Sequence, residues 1–211
     1  TMKKTVFVLA AAMLLPWPAP PAEATDYLWQ TDNGVWTDPA NWSPNLPAAG
    51  TFPAGSRAIV GDGVNPILCR AVGTLTAIPD EFIVRNAASV RPYDFLTGGA
   101  PLFIIESGGT LLADDYNTKH WSVLLKDGST IVAGELAGDT AVDRYTISGT
   151  VKLDDGNVAV GKGHRLLGVF DGSGTLNVYG ETDPAKNVLE VKAFQHTGLT
   201  HIHEGRLAIY R

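Results

Sequence analysis

One cysteine, Cys69, stands alone in 211 residues, so neither an intrachain disulfide nor a cysteine-based zinc site is available. Stability must come from packing, and Cys69 itself reads as a small residue of a core or its margin. Charge is also scarce, at 18% of residues, and its balance is acidic: 16 Lys and Arg against 22 Asp and Glu give a net charge of −6. Such a chain has no broad attraction for nucleic acid or anionic lipid, so neither is an expected partner. Long apolar runs are missing beyond the N-terminal region, and no segment has the roughly 20 apolar residues of a membrane-spanning helix. A phosphate loop of the form Gly-x-x-x-x-Gly-Lys-[Ser/Thr], a Gly-x-Ser-x-Gly elbow and a Gly-Gly-x-Gly-x-Asp calcium repeat are all absent.

What is present begins with an export signal over residues 1–24. Lys3 and Lys4 form its positive end, and Val6 to Leu15 is uncharged and mostly apolar, long enough for a signal core and too short to span a bilayer. Pro16, Pro18, Pro20 and Pro21 then break any helix, and Ala22-Glu23-Ala24 supplies a small-x-small cleavage site. The mature chain is therefore expected to start at Thr25, leaving 187 of the 211 residues.

Glycine (23) and proline (13) are frequent, which favours many tight turns and an all-β class. A unit recurs: an apolar pair, a glycine turn, a polar residue and an alternating strand. Its copies are Ile105-Glu-Ser-Gly-Gly-Thr-Leu-Leu112, Leu125-Lys-Asp-Gly-Ser-Thr-Ile-Val132, Tyr145-Thr-Ile-Ser-Gly-Thr-Val151, Phe170-Asp-Gly-Ser-Gly-Thr-Leu176 and Ile202-His-Glu-Gly-Arg-Leu207. The residues after each turn, Leu111, Ile131, Val151, Leu176 and Leu207, with Val90 before them, recur at about 20 residues and twice at wider intervals. One circuit of a parallel β-helix, or solenoid, fits that period; an antiparallel β-sandwich is the alternative. Alternation turns Val151, Leu153, Val158, Val160, Leu176, Val178, Leu189, Val191 and Ala193 inward. It turns Thr150, Lys152, Asn177, Tyr179, Glu190 and Lys192 outward. Residues 25–60 differ, with Trp29, Trp36 and Trp42 among prolines and asparagines, and read as an N-terminal cap over the first circuit; residues 61–211 read as repeats.

The block Trp29…Gly34-x-Trp36…Asn41-Trp42…Pro47, followed by Arg57-Ala-Ile-Val60, resembles the opening unit of bacterial secreted proteins that carry autotransporter-associated β-strand repeats. Thr197-Gly-Leu-Thr200-His-Ile-His-Glu-Gly205-Arg-Leu207-Ala-Ile209 is similar to that repeat, also called the passenger-associated transport repeat. Its pattern is Thr-Gly-Gly-Thr-Thr-Ile-x-x-Gly-x-Leu-x-Leu; Leu199 departs from the second glycine, and Ile209 fills the last apolar place. Gly172-Ser-Gly174-Thr-Leu176 matches an element that often precedes it. The resemblance covers about a third of the mature chain. It implies a right-handed β-helix in an exported passenger, displayed on a Gram-negative-type outer surface or released, with the periplasm as the alternative compartment. No series of amphipathic barrel strands follows, and a repeat strand runs to Arg211, so the repeats are expected to continue beyond it or the chain to be a short paralogue.

Chemistry-bearing residues are few. His196, His201 and His203 are the one candidate metal cluster, because His201 and His203 alternate onto one strand face; a solvated strand face explains them as well. Asp114, Asp115, Asp127, Asp154, Asp155 and Asp171 sit at turns, the ordinary place for aspartate beside glycine. Ser107, Ser129 and Ser148 adjoin turn glycines without a histidine partner. Tyr93, Tyr116, Trp121, Tyr145 and Tyr179 read as exposed aromatics that could form a sugar-stacking or protein-binding strip, although a scatter of surface aromatics is the more common outcome. The expectation is a non-catalytic scaffold, without catalytic residues, metal or cofactor, that meets host or cell-surface glycans or proteins in adhesion or surface architecture. The competing expectation is a β-helical carbohydrate-active enzyme or carbohydrate-binding module, since the fold alone does not fix function.

Overall fold

A computed structural model describes residues 24–32, 34–62, 68–70, 75–91, 102–113, 122–133, 144–154, 164–179 and 188–209. The expected signal segment, Val158, Val160, Asp114, Asp115, Asp155, Tyr93, Tyr116 and Trp121 lie outside these residues. So do the side chains of Cys69, Asp154, Leu189, Glu190, Val191, Lys192 and Ala193.

The chain opens with β1 (Asp26–Trp29), a 3-10 turn (Pro39–Asn41), β2 (Trp42–Ser43) and β3 (Arg57–Val60). Strands then come two to a coil: β4 (Leu68–Arg70); β5 (Glu81–Val84) with β6 (Ser89–Arg91); β7 (Leu102–Ile105) with β8 (Thr110–Ala113); β9 (Ser122–Leu125) with β10 (Thr130–Ala133). The series continues with β11 (Arg144–Ile147) and β12 (Thr150–Asp154), β13 (His164–Gly172) and β14 (Thr175–Tyr179), β15 (Val188–Phe194) and β16 (Leu199–Glu204), and β17 (Arg206–Ile209).

Alternate strands stack into two sheets. The ten-stranded sheet runs β17-β15-β13-β11-β9-β7-β5-β3-β1-β2, and the seven-stranded sheet runs β16-β14-β12-β10-β8-β6-β4. All neighbours pair in parallel except β1 with β2. This is a β-solenoid, and not the antiparallel sandwich that the same turn spacing would also allow. Parallel strands of one sheet are never adjacent in the chain, and from β3 onward each circuit passes through the other sheet before returning one rung up.

In-register stacking places like residues over like. Along the ten-stranded sheet one inward column is Tyr27, Ala58, Phe82, Phe103, Val123, Tyr145, Phe170 and Phe194. Phe82 stacks on Phe103 with ring centroids 5.2 Å apart, and Tyr145 on Phe170 at 4.8 Å. Such pairs add about 0.5–1.5 kcal/mol each beyond the area they bury. Facing it, Val90, Leu111, Ile131, Leu153 and Val178 form the inward column of the seven-stranded sheet, all fully or almost fully buried. The turn between the sheets repeats in register as well, since Glu106 N donates to Val84 O (2.8 Å) and Lys126 N to Ile105 O (2.9 Å).

Trp29, Trp36 and Trp42 are all buried, in one cluster with Phe52 and Phe82 at the β1 end of the core. Trp42 Nε1 donates to Trp36 O at 3.0 Å, which fixes the loop that carries them. The outer face of the ten-stranded sheet carries a second apolar row, Leu28, Ile59, Ile83, Ile104 and Leu124, contributed by β1, β3, β5, β7 and β9.

Three expectations need correction. Tyr145 is not an outward aromatic: it is fully buried, because the alternation of Arg144-Tyr-Thr-Ile147 puts it in the aromatic column. Ile131 is followed on its column by Leu153 and not by Val151, which stacks under Leu176. Leu207 belongs to β17 in the ten-stranded sheet, so Gly205 turns the opposite corner from the other repeat glycines.

Candidate functional site

The turn edge is a charged ladder. Arg85 grips Asp62 with Nε and Nη2 at 2.7 and 2.8 Å and reaches Glu106 at 3.4 Å, while Lys126 Nζ binds Glu106 at 2.8 Å. Hydrogen bonds from Arg85 hold the Asp62 carboxyl below its ordinary range, and those from Lys126 and then Arg85 do the same for Glu106. Each residue belongs to a successive circuit, so the ladder ties turns to one another. Arg57 and Asp26 make a similar fork on the outer face of the ten-stranded sheet, at 2.7 and 2.8 Å.

The other candidates are mostly committed to turns. Ser129 is buried and donates to Lys126 O at 2.6 Å; Ser148 donates to Leu125 O at 2.9 Å. Ser107 is an exposed turn residue. Asp127 Oδ1 accepts the Thr150 amide at 2.9 Å, and that bond lowers its carboxyl pKa. Asp171 stands on the outer face of the ten-stranded sheet, in the row of Leu124 and Thr146. Cys69 pairs through its backbone with Val90. No group of three or more His, Cys, Asp or Glu side chains among the described residues could hold a metal ion.

The three histidines separate. His196 sits in the turn before β16, its Nε2 on Gly174 O at 3.1 Å and its Nδ1 on Thr200 Oγ1 at 3.3 Å. His201 and His203 share the exposed outer face of β16 with ring centroids 6.3 Å apart. His203 stacks on Tyr179 at 4.4 Å and within 4° of parallel, and its Nε2 bonds Asn177 Oδ1 at 3.0 Å. The pair thus joins an outward polar and aromatic surface.

That surface contains a step. Thr130 pairs with Thr110 on one side and with Lys152 on the other, yet Thr150 already lies in β12 and pairs with Thr175. The cause is the corner, where the number of residues is unchanged, since Leu125 pairs with Ile147 and Thr130 with Lys152. A four-residue corner, Lys126-Asp-Gly-Ser129, gives way to the two-residue corner Ser148-Gly149, and Thr150 and Val151 extend β12 over the rung positions that Gly128 and Ser129 hold one circuit earlier. The step is sealed by hydrogen bonds from Gly128 N to Thr150 O (2.8 Å) and from Lys152 N to Ser129 O (3.0 Å). Beyond it the seven-stranded sheet is wider, and an open groove of about 490 Å³ lies along the step. Its walls include Gly128, Thr130, Thr150, Lys152, Asn177 and Tyr179. Lys152 Nζ rests 5.1 Å from the centre of the Tyr179 ring. The sequence places Thr150, Lys152, Asn177 and Tyr179 on the outer face, but the groove arises where corner residues of one circuit are matched by strand residues of the next, which only the pairing between circuits exposes.

Comparison with protein-family models, with curated proteins and with solved structures finds no match. No helix among the described residues is long and apolar enough to cross a membrane.

Proposed function

We propose that the chain is a non-catalytic, exported β-solenoid scaffold, part of an autotransporter-like surface or secreted protein that acts in adhesion or surface architecture through its long side. The observation that carries this reading is the ladder Asp62, Arg85, Glu106 and Lys126, in which charged groups link successive turns. Charges disposed this way stiffen an extended object; a catalytic centre instead gathers ionisable groups into a cleft with opposed pKa shifts. The residues at the start of the chain support export, and the Thr197–Ile209 stretch supports the autotransporter-type repeat.

Expression of the full chain in a Gram-negative host tests the reading. Recovery of the protein outside the cytoplasm with Thr25 at its N-terminus, and retention on bacterial or host-cell surfaces, is the expected result. Cytoplasmic retention would overturn the export, and shortening of any polysaccharide, abolished by a single Asp or Glu substitution, would overturn the non-catalytic scaffold.

A further inference from the structure

The groove at the step differs from the rest of the turn edge in chemistry. Thr130 brings a hydroxyl that both donates and accepts, Thr150 one that bonds to the Asp127 carboxylate and can still accept, and Lys152 an ammonium donor. Asn177 is oriented: its Oδ1 accepts from His203 Nε2 at 3.0 Å, which leaves the amide NH₂ to donate elsewhere. Tyr179 is immobilised, with Lys152 from the preceding circuit over one face and His203 from the following circuit stacked on the other. A ring held this way offers its edge as a fixed wall, and little side-chain freedom remains to be lost when a ligand arrives.

We infer that this groove binds an oligosaccharide laid across the step between β10 and β12, with Thr130, Thr150, Lys152 and Asn177 hydrogen-bonding its hydroxyls and Tyr179 meeting it with its ring edge and phenol hydroxyl. The inference rests on the adhesive-scaffold reading and supplies its ligand class. An open groove whose lining sets hydroxyl, amide and ammonium groups among apolar surface suits a ligand that carries both hydroxyls and C–H faces; apolar small molecules require an enclosed apolar cavity. Nucleic acid requires a basic field, which a chain of net charge −6 lacks. The in-register rungs on either side, about 4.8 Å apart, present polar side chains in rows along the solenoid, which matches an extended polymer better than a compact solute.

Two probes, cellohexaose and hexagalacturonate, are titrated calorimetrically into the full chain and its variants. At least one is expected to bind, and Thr150→Val and Tyr179→Ala are each expected to weaken that binding about tenfold, equivalent to about 1.4 kcal/mol. Thr110→Val, two circuits before Lys152 in the same outward row, is expected to leave it unchanged. A neutral-sugar site shows in binding of cellohexaose; an acidic-sugar site shows in binding of hexagalacturonate that Lys152→Gln reduces. If Tyr179→Ala fails to fold, the near-isosteric Thr150→Val decides alone. Absence of binding to both probes, or binding unmoved by the groove variants, overturns the inference. A chain that adheres to cell surfaces but binds neither probe keeps the scaffold and loses the groove; a chain that cleaves a probe loses the scaffold reading itself.

Discussion

Replacing Gly174 with alanine puts a methyl group where backbone already is. Gly149, Gly174 and Gly198 stack at one corner of successive circuits, and a Cβ on Gly174 would fall well inside contact with the Gly149 carbonyl oxygen and 2.7 Å from its nitrogen. An ordinary carbon to oxygen contact needs about 3.3 Å, so the rungs must part by about 1 Å. Two hydrogen bonds cross that gap, Thr175 N to Gly149 O at 2.9 Å and Gly174 N to Ile147 O at 3.0 Å, and both would be lost at the wider spacing. Two lost bonds with their groups left in a closed corner cost about 3 kcal/mol in all. At about 2 kcal/mol per molar of urea, the unfolding midpoint followed by circular dichroism should fall by about 1.5 M. Gly55→Ala is the matched control, since its Cβ meets nothing within 4 Å and only its φ of 77° is unfavourable. That strain is worth about 1 kcal/mol, or a shift of about 0.5 M. A midpoint for Gly174→Ala no lower than that of Gly55→Ala would refute the close-approach reasoning.

Ala87 has φ of 66° where the next two circuits place Gly108 and Gly128 at 75° and 72°. Ala87→Gly should therefore stabilise the protein by about 0.5–1 kcal/mol, read as a raised urea midpoint. Tyr145→Ala should cost about 3–5 kcal/mol, because the ring is fully buried between neighbouring circuits. Acid should loosen the ladder: the depressed carboxyls of Asp62 and Glu106 contribute stability that is complete above about pH 4.5 and lost as pH falls through their lowered values. Glu106→Gln should flatten that acid limb in denaturant titrations run from pH 6 to pH 2.5.

The period and the face assignments were legible because each circuit repeats local chemistry. A glycine turn followed by strict alternation places Val151, Leu153, Leu176 and Val178 inward and Lys152 and Asn177 outward, and the structure agrees. Register was not legible. Gly-Ser-Thr-Ile131 and Ser-Gly-Thr-Val151 look alike as strings, yet the second begins nearer the end of its preceding strand, and only pairing across circuits reveals that Leu153 follows Ile131. Leu207 failed for a related reason, since glycine turns at both corners of a circuit look the same in one dimension. Tyr145 shows a different failure: aromatic residues in a turn-rich chain invite a surface reading, whereas Arg144-Tyr-Thr-Ile147 already alternates. The outer row of Ile59, Ile83 and Ile104 sits inside continuous apolar runs, which hide the two-residue period.

The corner at Ser148-Gly149 acts as a change of cross-section in a column whose storeys stay in line. The rungs pass through it without offset, since Leu125 pairs with Ile147 and Thr130 with Lys152, and register shifts come only later, between β13 and β15 and between β14 and β16; at the corner two residues per circuit change from corner to strand, and Gly128 and Ser129 abut Thr150 and Val151. Because pairing is kept through the corner, a copied circuit can join the stack on either side of it, and the copy decides only which kind of corner is repeated. What changes there is breadth: the seven-stranded sheet goes from four residues in β10 to five in β12 while every rung keeps its partner.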